Sequence, residues 1–289
     1  MLTLFTDTDT DITPQLAEKY GYKIISMPYS VDGKTVYPYE DFTEFDFHEF
    51  YQMLRSGKIP STSAISQEKY IEYFEPVFSA GNDILYVHFS RAMSATFDAM
   101  DACVRELLAK YPDRKFYEID TKGISIVSLN IAMSVGEMVK DGMSAEQILK
   151  WAETEVDKHA VYFFADDLKF FSRSGRVSGI AGTMGNILGI RPIIYMNAEG
   201  KMVSIGKAKG RANAIDRLIE YVVTLGDDVA NHRILIANSD APEIAEIIKT
   251  KLTEKFGKDV DIMTVSVNPT AGSHCGPDAV GISFHSIHR

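Results

Sequence analysis

Cysteine is nearly absent from this sequence: Cys103 and Cys275 are the only two. Two cysteines make no disulfide framework, and their spacing is not that of a metal site. Positive charge is scarce too, with 30 Lys and Arg against 40 Asp and Glu, a formal net charge of −10. That balance argues against nucleic acid or an anionic membrane surface as the main partner, since both require clustered Lys and Arg. Long hydrophobic runs are missing as well; none approaches the roughly 20 apolar residues that cross a bilayer. The opening Leu2-Thr3-Leu4-Phe5 reads as a strand, with no basic and apolar regions of a secretory signal ahead of it. These absences predict a soluble, cytoplasmic protein without integral membrane association. No nucleotide-binding loop or ligand spacing calls for a cofactor or a metal.

What is present is ordinary globular material: 45% hydrophobic and 24% charged residues. A length of 289 residues is long for one core and predicts two domains. The first half alternates apolar runs with amphipathic segments, the pattern of a parallel sheet wrapped by helices. Leu2–Phe5, Tyr22–Tyr29, Asp83–Phe89 and Lys115–Ile119 read as strands. Helix starts are marked by Thr13-Pro14, by Asp46 and by a capping box of Ser144 with Gln147. In the second half, Pro192–Met196 and Met202–Ile205 read as an antiparallel hairpin. The expected architecture is α/β in two lobes. A Rossmann-like, doubly wound domain spans 1–157, and an α/β domain with a mixed or antiparallel sheet spans 158–289.

The hydroxyls at strand ends carry the chemistry. Thr62 and Ser63 lie in the loop IPSTSAISQ (59–67) before a helix, and Ser90 and Ser94 lie between an apolar strand and the next helix. Such hydroxyls cap helices by accepting orphan backbone N–H groups. They also sit where an open α/β sheet binds ligands, and with helix N-terminal amides they can seat a carboxylate or phosphate. The residues alone leave both roles open. His274 falls in a Gly-Ser-His-Cys-Gly-Pro turn, from which an imidazole either donates to an anion or ties down backbone. Arg176, behind Gly175, suits a carboxylate or a structural ion pair. Lys207, Lys209 and Arg211 form a basic cluster in an acidic chain, either a solvated helix start or a docking point for an acidic partner.

The first ten residues support a rival. Leu-Phe-Thr-Asp-Thr-Asp-Thr matches the strand and DxDxT of haloacid-dehalogenase-like, Mg²⁺-dependent phosphatases. Asp7 would be the nucleophile and Asp9 the general acid, with Ser90 and Asp166-Asp167 standing in for the later motifs.

Seven segments, in order, resemble the DegV family of fatty-acid-binding proteins over essentially the whole chain. TDTDTDI (6–12) looks like the family's TDSTxDL, PSTSAIS (60–66) like its TSQPS, and SRAMSATF (90–97) like its SSxLSGTY. FFSRSGRVSG (170–179) resembles LKKGGRI, and NILGIRPIIYMNAEG (186–200) resembles LLNIKPIL…DG. KAKGRANAI (207–215) looks like KxRGxKKA, and GSHCGPDAVG (272–281) like GxHxGPGALG. The resemblance implies one long-chain fatty acid, such as palmitate, stearate or oleate, bound between the lobes with its chain in an apolar tunnel. It implies that Thr62 and Ser94 hydrogen-bond the carboxylate, with His274 and Arg176 near it and Ser63, Ser90 and Arg91 around it. It further implies a carrier without catalytic activity, which presents the acid to an ATP-dependent fatty acid kinase for conversion to acyl phosphate. This sequence departs from the pattern at Arg91, where the family has serine, and at Ala95, Ser174 and Asp278, where it has glycine.

Overall fold

The computed structural model describes residues 1–166, 168–178 and 189–289. Asp167, Gly179 and the start of the 186–200 segment therefore lie outside the described residues. Its first sheet is wholly parallel, in the order β2 (Tyr22–Ile25), β1 (Leu2–Asp7), β6 (Asp83–His88), β7 (Phe116–Asp120). The chain leaves β1 toward one side and β6 toward the other, so the switch point lies between the carboxyl ends of these two strands. Helix α1 (Pro14–Tyr20) begins as predicted, with the Thr13 hydroxyl accepting the Leu16 N–H and Pro14 in the first turn. Gly21 ends it in the left-handed conformation.

The stretch 22–29 is not one strand. After β2 the backbone turns away, because the Ser26 N–H binds the Tyr73 hydroxyl and the Met27 N–H binds Thr8 Oγ1. Pro28 has no N–H to contribute to a ladder. The chain then builds a small antiparallel sheet of β4 (Lys34–Val36), β3 (Tyr29–Val31) and β5 (Ser61–Thr62). Asp32-Gly33 reads from sequence as a turn leading into a strand at Thr35–Tyr37, and it is the turn between β3 and β4; β5, which the sequence does not announce, is what carries Thr62. Helix α2 (Phe47–Arg55), capped by Asp46 on the Glu49 N–H, fills the space between β4 and β5 in the chain. Helices α3 (Gln67–Ser79) and α4 (Thr96–Lys110) pack together.

The second sheet is mixed and seven-stranded. Its order is β13 (Ile262–Ser266), β12 (Ile234–Asn238), β14 (Val280–His285), β8 (His159–Phe164), β10 (Ile190–Met196), β11 (Met202–Lys209), β9 (Val177–Ser178). The expected hairpin is β10 with β11, paired from Ile190 opposite Lys209 to Met196 opposite Met202 with a register shift between Ile193 and Ile194. Helices α8 (Arg211–Leu225) and α9 (Pro242–Phe256) pack on this sheet against β8 and β12 respectively.

Helix α5 (Ile126–Lys140) joins the halves. Its residues from Ile126 to Met133 are all buried, and it packs against β8, β12 and β14 of one sheet and β6 of the other. A helix apolar on every side belongs in an interior, and Ile-Val-Ser-Leu-Asn-Ile-Ala-Met spells that out. A single cluster of buried side chains accordingly runs from Leu4 and Val87 through Leu129 to Val161 and Leu235.

Candidate functional site

The acidic opening of the chain organises the loops at the switch point. Asp7 is fully buried; its Oδ1 accepts the Asp9 N–H at 3.0 Å, and its Oδ2 accepts the Tyr86 hydroxyl at 3.0 Å and the Phe89 N–H at 3.2 Å. Asp11, in the left-handed conformation, accepts the Asn268 N–H and side-chain amide at 2.8 and 2.6 Å and the Ser125 hydroxyl. One carboxylate thereby ties the end of β1 to the loop after β6, and the other draws the starts of α5 and α10 (Pro269–Cys275) to the same point. Burial lifts both acids to about 6, against the lowering effect of those hydrogen bonds. Asp7 is sealed and its oxygens are occupied, so it is no nucleophile. The phosphatase reading of Asp7 and Asp9 fails on that geometry.

Against this frame three segments converge. Thr96 Oγ1 accepts the Ile65 N–H at 3.2 Å, which holds the loop after β5 against the loop before α4. The Thr270 hydroxyl donates to the Met27 carbonyl at 2.6 Å and fixes α10 beside them. The result is a cleft of about 790 Å³, lined among others by Asp9, Thr62, Ser63, Arg91, Ser94, Arg176 and His274. His274 lies not in a turn but in the last turn of α10, whose start Asn268 caps with Pro269 behind it. Its Nε2 and Thr62 Oγ1 share a 2.8 Å hydrogen bond across 212 residues of sequence. Burial first, and the Arg176 guanidinium second, push the His274 imidazole down to about 4. Near neutral pH it is therefore uncharged.

Ser94 reconciles its two sequence readings. Its Oγ accepts the Thr96 N–H at 3.2 Å at the start of α4, which leaves the hydroxyl proton to donate into the cleft. The positive end of a 15-residue helix lies beside it. Arg176 is exposed; its guanidinium donates to the Ser174 carbonyl, and no carboxylate pairs with it among the described residues. Ser90, Arg91 and Arg211 are spent on the protein itself. Ser90 is buried and donates to the Gly200 carbonyl at 2.8 Å, so it clasps the β10–β11 turn rather than facing the cleft. Arg91 lines the cleft, yet its guanidinium binds Glu118 and Asp101 and sits over the Phe97 ring. Burial raises Glu118, but the bonds from His88 and Arg91 outweigh it and hold that carboxyl at about 2. Arg211, with Arg191, pairs with Asp166. Lys207 and Lys209 are exposed on one side of β11, either side of buried Ala208.

A second, narrower cavity adjoins the cleft, between α5 and the large sheet. Its volume is about 80 Å³, several times the roughly 10–15 Å³ that one water needs. Its walls include Ile126, Val161, Phe163, Phe171, Ala237 and Val267. Met93, Ile124, Arg176 and His274 line both spaces and stand where the two meet. Met93 and Ile124 were not singled out from sequence, since apolar residues next to loops carry no signal of a cavity wall. Cys275 also lines this cavity, and burial pushes its thiol up to about 12, so it packs as a small apolar residue.

The sequence profile of a family described as "Uncharacterised protein, DegV family" matches residues 1–286. A DegV domain-containing protein of Clostridium perfringens is 31% identical over 97% of this chain and 96% of its own length. Two solved structures share the fold. One is a DegV family protein from Thermus thermophilus, described for fatty acid binding, at 22% identity, a TM-score of 0.85 and coverage of 99% of each chain. The other is a DegV family protein from Eubacterium eligens loaded with heptadecanoic acid, at 19% identity and a TM-score of 0.84, covering 99% of this chain and 100% of its own.

Proposed function

Since this chain belongs to the DegV family, we propose that it binds one long-chain fatty acid between two lobes divided near residue 157. The carboxylate sits in the cleft, where the Ser94 and Thr62 hydroxyls donate to it and Ser63 stands at the rim. His274 positions the Thr62 hydroxyl through their shared bond, and Arg176 supplies the nearby positive charge. The acyl chain passes Met93 and Ile124 into the apolar cavity, which widens around it. Each buried methylene contributes roughly 0.8 kcal/mol, so the chain supplies most of the affinity and the head-group residues set its register.

The observation that carries this reading is the adjacency of the two spaces: a polar cleft with hydroxyl donors and an apolar cavity share four wall residues. An amphiphile with one anionic end fits both. The protein has the role of a carrier in the cytoplasm, without catalytic activity of its own and without a cofactor. It delivers the acid to an ATP-dependent fatty acid kinase, with the face around Lys207 and Lys209 as the docking point and Arg211 supporting it through Asp166.

Native mass spectrometry tests the binding. Purified protein is expected to carry a mass increment matching one fatty acid, reduced at least tenfold in occupancy in the Thr62→Ala/Ser94→Ala variant. Protein that purifies without lipid and takes up neither palmitate nor oleate on addition rules the reading out.

A further inference from the structure

Of the three acids in the opening turn, Asp9 is the one with a buried carboxyl oxygen left bare among the described residues. Asp7 and Asp11 each accept three hydrogen bonds. Asp9 is 6% exposed, lines the cleft, and its Oδ1 is enclosed with no hydrogen-bond partner among the described residues. An enclosed polar atom without a partner costs free energy, more when charged, and calls for an explanation.

The surroundings say what form that carboxyl takes. Asp7 and Asp11 flank it in its own turn, and both, after burial itself, push its proton affinity up. From α10 the facing group is His274, which is uncharged near neutral pH. Ahead of α5, the Lys122 ammonium is held at 3.0 Å by Asp157. Around the cleft, Arg91 is taken by Glu118 and Asp101, Lys201 lies 3.6 Å from Glu199, and Asp98 adds negative charge. Arg176, at the rim, bonds the Ser174 carbonyl. Among the described residues no cation pairs with Asp9, and no three His, Cys, Asp or Glu are grouped to hold a metal ion.

We propose that Asp9 is a further head-group ligand, which retains its proton and donates it in an O–H···O⁻ hydrogen bond to the bound fatty-acid carboxylate. The inference rests on the fatty-acid reading above and adds a third donor to Ser94 and Thr62. A protonated acid facing a carboxylate makes one of the stronger hydrogen bonds available to a buried site. It also links binding to protons. Below the Asp9 midpoint the donor is present and the carboxylate is held; above it, two anions face each other and the ligand is expelled.

Calorimetric titration of delipidated protein with oleate over a rising pH series tests this. Asp9→Asn, which keeps a donor without the charge, is expected to bind within about threefold of wild type at neutral pH and to lack the alkaline loss that wild type shows. Asp9→Leu is expected to bind about tenfold more weakly. Asp9→Asn binding tenfold more weakly than wild type at neutral pH overturns the inference, as do wild-type and Asp9→Asn profiles that track each other across the range. Should Asp9→Leu fail to fold, the comparison of wild type with Asp9→Asn decides alone. Wild-type protein that binds oleate at no pH overturns the fatty-acid reading, and this inference with it.

Discussion

His274 owes its neutrality to burial and then to Arg176, and both act on a ring already committed to Thr62. The consequence for pH follows from sign. Its folded pKa of about 4 lies below the ordinary value of 6.5, so between those values the unfolded chain binds a proton that the folded chain refuses. In that window acidification destabilises the fold through His274. Asp7 and Asp11 act in the opposite sense. Raised from 3.8 to about 6, they hold protons in the folded state that the unfolded chain releases, so their contribution fades as pH rises toward 6. A melting curve sums these effects, whereas NMR of the imidazole C2–H resolves one of them. The His274 signal is expected to stay flat from alkaline pH down to about 5, well below the ordinary histidine midpoint. A midpoint near 6.5 would contradict a buried, uncharged ring.

Among the elements, α5 is the one that packs on both sheets, and at Gly136 it lies tight against α1. A Cβ built there meets Tyr20 Cβ at 2.8 Å and the Tyr20 carbonyl oxygen at 3.1 Å. Neither is the yielding end of a long side chain. Helix propensity favours alanine over glycine by about 1 kcal/mol, but overpacking of this kind costs about 1–3 kcal/mol. Gly136→Ala is therefore expected to destabilise by about 1 kcal/mol in urea denaturation, and a stabilised variant would show that α1 can retreat. Element starts were largely legible in the sequence, since capping is local chemistry. Thr13, Asp46 and the Ser144–Gln147 capping box act as read. In the small sheet the Asp32-Gly33 turn into β4 was legible, but β5 and the break after β2 were not, because two residues are too short to show a period and the backbone at Ser26 and Met27 is steered by Tyr73 and Thr8.

At the scale of the whole molecule, the proposed delivery to a kinase is a question of charge on one face. The chain carries a net −10, so the exposed Lys207 and Lys209 stand out as a local reversal of sign. Such patches act chiefly on encounter rate and salt dependence. Lys207→Glu/Lys209→Glu, reconstituted with ATP and a fatty acid kinase, is expected to keep its bound lipid and to yield acyl phosphate about tenfold more slowly than wild type at low salt, the gap closing as salt screens it. An unchanged rate would move the docking surface elsewhere.

The sequence by itself determined the α/β class, the parallel first sheet and mixed second sheet, and membership of the family through motifs in fixed order. All of these depend on periodicity, local capping or chain order. Only the tertiary structure decided how each polar side chain is used. Ser90 and Ser94 stand four residues apart after the same strand, yet one is turned onto the Gly200 carbonyl and the other lines the cleft. Arg91 looked like an anion ligand until Glu118 and Asp101 closed on it. Asp7, Asp9 and Asp11 alternate identically with threonines in sequence, and differ only because Tyr86, Phe89, Ser125 and Asn268 satisfy two of them and leave the third bare. The physical reason is common to all three cases. A hydrogen-bonding group is available to a ligand only if no other part of the protein has taken it, and those competitors come from residues far away along the chain.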